Sequence, residues 1–178
     1  MLSQGWNPAD RSLLWRYHLH YLDDLTAADA DVRLKWHAHL LSRWIAENPP
    51  GTPPGWDAYP TSLRIVNWIR WAATSPMNTS AFDDSLATQV RWLASRFEYH
   101  ILGNHVFANA KALLFAGIYF GGDEGNNWLA RGQKSLVAQV REQILADGAH
   151  FERSPMYHHI IFEDLLDIVA FFRAYDLE

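Results

Sequence analysis

The sequence predicts an all-α chain built from antiparallel helix hairpins. Apolar residues recur at helical spacing through most of the 178 residues, and no segment sustains a period-two alternation. Clusters of Gly, Pro, Asn and Ser punctuate the chain at short intervals. Seven helical segments with short connections imply antiparallel neighbours wound into a bundle, a superhelix or a toroid. No fixed-period repeat stands out, which disfavours a consensus solenoid.

A first amphipathic helix is expected over 12–25 and a second over 29–47, the latter with an acidic start and apolar spacing at Leu34, Ala38, Leu41 and Ile45. The four prolines and two glycines between Asn48 and Gly55 cannot continue it. A third helix is expected over 61–73, with Pro60 just ahead of it, and the stretch 75–80 reads as a loop. A fourth covers 82–99. The fifth begins at Asn104 and ends at the Gly121–Gly122 pair, a good C-cap. It is apolar on nearly every side, which marks a buried helix, yet its first turns carry Asn104, His105 and Asn109. Such polar groups need partners or a cleft to face. The sixth helix is expected over 126–145 and the last over 157–175, with Pro155 just ahead of it.

The net charge of -5 argues against a nucleic-acid backbone as partner, which calls for clustered Lys and Arg. An acidic polysaccharide would likewise need a site that is locally basic within an acidic molecule. The absence of cysteine removes disulfides, thiolate chemistry and Cys-based zinc sites. The start, MLSQGWNPADRS, shows no basic run followed by an apolar one, so no signal peptide is expected in it. The longest apolar stretch, around Leu113 to Phe120, is too short to span a bilayer, and no membrane insertion is expected. Nine tryptophans are a marked excess. Indole stacks on pyranose faces and fills cores equally well, and composition does not choose between the two.

Three motifs carry polar chemistry. In LGNHVFANAKALLFAG, His105 and Asn109 lie about 40° apart on one helical face. Asn104 capping the helix and His105 bonding a nearby carbonyl is the plain structural alternative. In DGAHFERSPMYHHIIFEDLLDI, Tyr157, His158 and His159 open a helix where backbone N–H groups favour anions, while Glu152 and Arg153 can contact a ligand or pair with each other. In GWDAYPTSLRIVNWIRW, Arg64 and Trp68 share one face, as do Asn67 and Trp71. A cation beside an aromatic plane suits a sugar carboxylate and also an ordinary cation–π contact. The pairs His18/His20 and His37/His39 lie about 200° apart on a helix and cannot chelate, so no metal site is expected. There is no HExxH, no G-x-S-x-G elbow and no Gly-rich phosphate loop, and no cofactor is expected.

These motifs, together with WRYHLHYLDDL and in the order they occur, resemble the N-terminal helical domain of heparinase II/III family polysaccharide lyases and of the related alginate lyases. The resemblance covers nearly the whole chain. It implies an incomplete (α/α) toroid over 1–178, read as one domain and as a fragment lacking a C-terminal β-sandwich domain of the same polypeptide. It also implies an acidic polysaccharide substrate, a bacterial source and a periplasmic or extracellular setting. By the same resemblance Asn104 falls on the residue that holds the uronate carboxyl, His105 on its cleft neighbour and Tyr157 on the catalytic tyrosine. Arg64, Trp68, Glu152, Arg153 and His158 are expected substrate contacts. A further catalytic histidine of the family comes from the β domain, and nothing in this chain matches it.

The residue types suit β-elimination. The C5 proton is weakly acidic, and neutralising the adjacent carboxylate lowers the barrier to its removal. A base takes that proton and an acid protonates the departing O4. A phenol, with an ordinary pKa near ~10, suits the acid's part; it serves as base where positive charge, from Arg153 or His105, favours phenolate. His105 is the candidate base on the opposite face or a second carboxylate ligand. A toroid-type glycoside hydrolase is an alternative, needing two carboxylates drawn from Glu152, Glu163 and Asp164. A non-catalytic carbohydrate-binding or scaffold domain is another. An ultraviolet-absorbing unsaturated product separates the lyase from both.

Overall fold

A computed structural model describes residues 5–75, 79–101 and 103–176, so residues 76–78 of the expected 75–80 loop lie outside the description. The described residues are helical, with an isolated antiparallel bridge between Ile144 and His150 and no strand. Contacts divide the chain into two compact units, Met1–Arg96 and Phe97–Glu178.

The first unit holds α1 (Leu13–Tyr21), α2 (Leu34–Glu47), α3 (Ala58–Thr74) and α4 (Ser80–Ala94). Ser12 caps α1 by accepting the Trp15 N–H at 3.3 Å. The helix stops short of its expected end at 25, because Leu22 turns left-handed at φ 57. Two 3₁₀ turns, Asp23–Thr26 and Ala30–Arg33, fill the corner before α2. Asp24 ties that corner together, accepting from Arg33 Nη2 at 3.1 Å and bonding His37 Nε2 at 2.9 Å. From α3, Asn67 Nδ2 donates to the Tyr21 carbonyl at 2.9 Å, satisfying a terminal group of α1. Pro60 lies inside α3, at its third position, rather than ahead of it. No intrahelical bond is lost there, since the first four N–H groups of a helix have none. At the other end of the unit, α4 is capped by Thr79 and stops at Ala94, five residues before the expected end.

Aromatic packing fills this unit. Trp44 meets Trp68 edge-on at 5.5 Å, Trp68 stacks on Phe82 at 5.0 Å, and Trp56 meets Trp92 at 5.7 Å. Six of the nine tryptophans are buried, so the excess read from composition is mainly core.

The second unit holds α5 (Asn104–Phe120), α6 (Gly122–Gln143) and α7 (Pro155–Ala174). Residues 106–117 of α5 are buried without a break, as its apolar circumference predicts. Gly121 alone joins α5 to α6, and α6 therefore begins four residues earlier than expected. The two helices pack backbone against backbone. A Cβ on Gly117 would meet the Gly125 carbonyl at 2.7 Å, and one on Gly132 would meet Leu114 N at 2.9 Å. Pairing 117 with 125 and 114 with 132 runs the helices antiparallel. Lys111 of α5 is buried and bonds two α7 carboxylates, Asp164 at 2.7 Å and Asp167 at 2.8 Å. Pro155 is the first residue of α7 and Ser154 its cap, which moves the helix start two residues ahead of Tyr157.

Candidate functional site

The site is built at the entry to α5. Gly103 precedes the helix at φ 85, a left-handed value that favours glycine, and a Cβ there would lie 2.7 Å from Glu152 Oε1. The loop between α6 and α7 thus packs its carboxylate against the residue before Asn104. The same entry is held from below by Gln143, the last residue of α6 and fully buried. Its Nε2 donates to the Gly103 carbonyl at 2.8 Å and to Gln139 Oε1 at 2.6 Å, and its Oε1 lies 3.1 Å from His150 Nε2. His150, 1% exposed, has Phe151 and Tyr157 as ring neighbours at 4.9 and 6.3 Å. A chain of contacts therefore runs from Gly103 through Gln143 and His150 to the Tyr157 ring. Tyr157 sits half-buried in the first turn of α7, its N–H directed at Ser154 Oγ, 3.5 Å away.

His105 is oriented from the other side. Its Nδ1 lies 3.0 Å from Glu98 Oε2, and a carboxylate can only accept there, so Nδ1 carries a proton, and in the neutral ring Nε2 holds the lone pair. Glu98 is itself fixed by its backbone N–H, which donates to Asn109 Oδ1 at 3.0 Å. Asn109 is fully buried. That bond draws the Glu98 N–H away from helical pairing in the segment where α4 was expected to continue. A hollow of about 350 Å³ opens beside Val106, bordered by Tyr99, Arg131, Lys134 and Gln139. It supplies positive charge near the first turn of α5.

Other expected site residues fall elsewhere. Arg153 is exposed at φ 53, its N–H bonded to the His150 carbonyl, and no ion pair joins it to Glu152 among the described residues. His158 is exposed and stacks on Phe162 at 6.4 Å. Arg64 and Trp68 are corrected: both have 0% exposure inside the first unit, and neither offers a surface to a sugar. The Arg64 guanidinium donates to Gln89 Oε1 and the Gly55 carbonyl at 2.7 Å, and to the His20 carbonyl and Thr61 Oγ1 at 3.3 Å. Its carbon lies 4.0 Å from the Trp44 ring centre. Burial draws its pKa well below the ordinary value. His20 is drawn down to about 4 by its own burial and then by the nearby Arg64 charge. The carboxylates that a hydrolase would add to Glu152 are already engaged. Asp164 is held by Lys111 with its pKa pushed up by burial, and exposed Glu163 pairs with His159 at 3.0 Å.

These contacts meet a decisive comparison. The family model for the heparinase II/III N-terminus matches residues 26–178. The chain belongs to the heparinase II/III family. A heparin-sulfate lyase from Pedobacter heparinus is 25% identical over 174 residues, covering 87% of this chain and 26% of the relative. One from Bacteroides thetaiotaomicron is 29% identical over 150 residues, covering 78% of this chain and 21% of the relative. The chain therefore spans about a quarter of the length of these curated relatives. The crystal structure of heparinase III superposes with a TM-score of 0.68 at 24% identity, over 93% of this chain and 27% of that one. A heparan sulfate lyase structure from Pedobacter heparinus gives 0.64 at 24% identity, over 93% and 28%. The all-α, (α/α) toroid class expected from the sequence is the fold class of these heparinase structures.

Sequence reasoning passed over Gln143, His150 and the orienting part of Glu98. Gln143 was findable. It follows Leu129, Gly132, Leu136 and Val140 at helical spacing on the inward stripe of α6, and a polar residue on such a stripe must be bonded. His150 lies in non-helical chain, where no periodicity marks a side chain as buried.

Proposed function

We propose that this chain forms one wall of a lyase site that cleaves uronic-acid-containing polysaccharide of the heparan sulfate class by β-elimination. The observation that carries it is the contact chain joining the Asn104–His105 and Tyr157 motifs inside one compact unit, through Gly103, Gln143 and His150. Asn104, at the first position of α5, is the donor to the uronate carboxylate, where the amide adds to the positive end of the helix. Tyr157 protonates the departing O4. His105, its Nδ1–H spent on Glu98, presents Nε2 to the substrate as base or as a second carboxylate contact. Glu152, Arg153 and His158 border the site as substrate contacts. A C-terminal β-sandwich domain of the same polypeptide supplies the opposite wall and the further histidine.

The test is the full protein incubated with heparan sulfate. Unsaturated, ultraviolet-absorbing ends are expected, with kcat down by about 10²–10³-fold in Asn104→Ala and more in Tyr157→Phe. Polysaccharide binding with no chromophore, unchanged in Tyr157→Phe, would instead make the chain a binding domain.

A further inference from the structure

The Gln143 amide is oriented without ambiguity, and this settles the tautomer of His150. Both Nε2 hydrogens of Gln143 face carbonyl-type oxygens, those of Gly103 at 2.8 Å and Gln139 at 2.6 Å. Its Oε1 must then be the atom facing His150, and only an N–H can satisfy it across 3.1 Å. His150 therefore carries its proton on Nε2, and in the neutral ring Nδ1 is a bare acceptor. That acceptor is buried with no hydrogen-bond partner. A buried nitrogen left without a donor is a desolvation cost that native structures rarely leave unmet.

Two rings flank His150, and only one bears a donor. Phe151 is apolar; Tyr157, with its ring centre 6.3 Å away and tilted by 33°, carries a hydroxyl with no hydrogen bond among the described residues. At 1% exposure His150 is out of a polysaccharide's reach, whereas half-buried Tyr157 lies beside the imidazole and is partly open to the outside. We propose that His150 is a positioning residue for Tyr157: its Nδ1 accepts the phenol O–H after a side-chain rotation, while Nε2–H, through Gln143, ties the tyrosine's aim to the Gly103–Asn104 helix entry. One imidazole thus registers the two motifs against each other. Its kinetic consequence rests on the β-elimination reading; the hydrogen bond itself does not.

Two substitutions separate this from a merely structural role. An asparagine amide sits near the place of Nδ1, and a glutamine amide reaches the place of Nε2. In the full protein acting on heparan sulfate, His150→Asn is expected to keep kcat within about tenfold, and His150→Gln to lose about 10²-fold with KM within about twofold. The reverse order, glutamine rescuing and asparagine failing, would mean that His150 only braces Gln143 and would overturn the proposal. A spectroscopic arm holds whatever the activity. Nitrogen NMR of the same protein is expected to show His150 protonated at Nε2, with an Nδ1 resonance that moves in Tyr157→Phe. An Nδ1-protonated ring, or an Nδ1 signal indifferent to Tyr157→Phe, would also overturn it. If neither wild type nor variants release unsaturated product, the lyase reading fails, and the NMR result alone decides the hydrogen bond.

Discussion

At the scale of single residues, His20 is a buried imidazole with both ring nitrogens bonded. Its Nδ1 accepts the Trp44 indole N–H at 3.1 Å and its Nε2 faces the Trp6 carbonyl at 3.0 Å, so both nitrogens are used by the neutral ring. Burial and Arg64 hold its folded pKa near 4, against 6.5 for the free side chain. As pH falls the unfolded chain takes the proton first. Stability is therefore full above about 6.5 and is lost progressively down to about 4, by about 3 kcal/mol in all. Between about pH 6.5 and 5, where ordinary carboxylates hardly titrate, wild type should lose thermal stability and His20→Gln should show a flatter slope. Equal slopes would remove His20 from the account. Nothing in the sequence separates His20 from His18, two residues away and exposed; only the enclosing Trp6, Trp44 and Gly55 do. Arg64 failed as a substrate contact for a related reason. Its helical spacing to Trp68 was legible, but which face of α3 points inward depended on Trp44, contributed by another helix.

Among the elements, α5 packs against both other helices of its unit, and the two contacts differ in kind. Against α6 the contact is backbone to backbone, and Gly132 leaves no room for a methyl between Leu114 N and the Ala110 carbonyl. Gly132→Ala gains about 1 kcal/mol of helix propensity but overpacks two groups that cannot rotate away, at about 1–3 kcal/mol. A lower denaturation midpoint is expected, where propensity alone predicts a higher one. Against α7 the contact is the buried Lys111 with Asp164 and Asp167. Lys111→Met should cost about 3–5 kcal/mol by stranding buried carboxylate. Burial already raises the Asp164 pKa, and without Lys111 it rises further. A carboxyl whose folded pKa is raised destabilises the fold as pH climbs past its unfolded value, so the variant's deficit relative to wild type should shrink on going from pH 7 to 5, the His20 loss being common to both. A pH-independent deficit would contradict this. The helices themselves were legible because each apolar stripe is a local property. Their ends were not: the break at Leu22 and the early start of α6 depend on a left-handed residue and a one-residue link.

For the chain as a whole, the proposed function sets a net charge of -5 against a polyanionic ligand. The two scales of charge separate by distance. Long-range repulsion from the whole chain acts over the Debye length, about 30 Å at 0.01 M salt and about 10 Å at 0.1 M. Contacts at the α5 entry, with Arg131 and Lys134 in the adjoining hollow, act at contact distance and are screened less. Raising salt from about 0.01 to 0.1 M should first relieve the repulsion and strengthen binding of an acidic oligosaccharide by this chain; further salt should then weaken it. A basic polysaccharide-binding surface would instead weaken steadily from the start. A titration of heparan sulfate oligosaccharide by calorimetry across that range distinguishes the two. A maximum near 0.1 M fits a locally basic site on an acidic body, and a steady fall would mean that the ligand meets a positive surface outside the α5 entry.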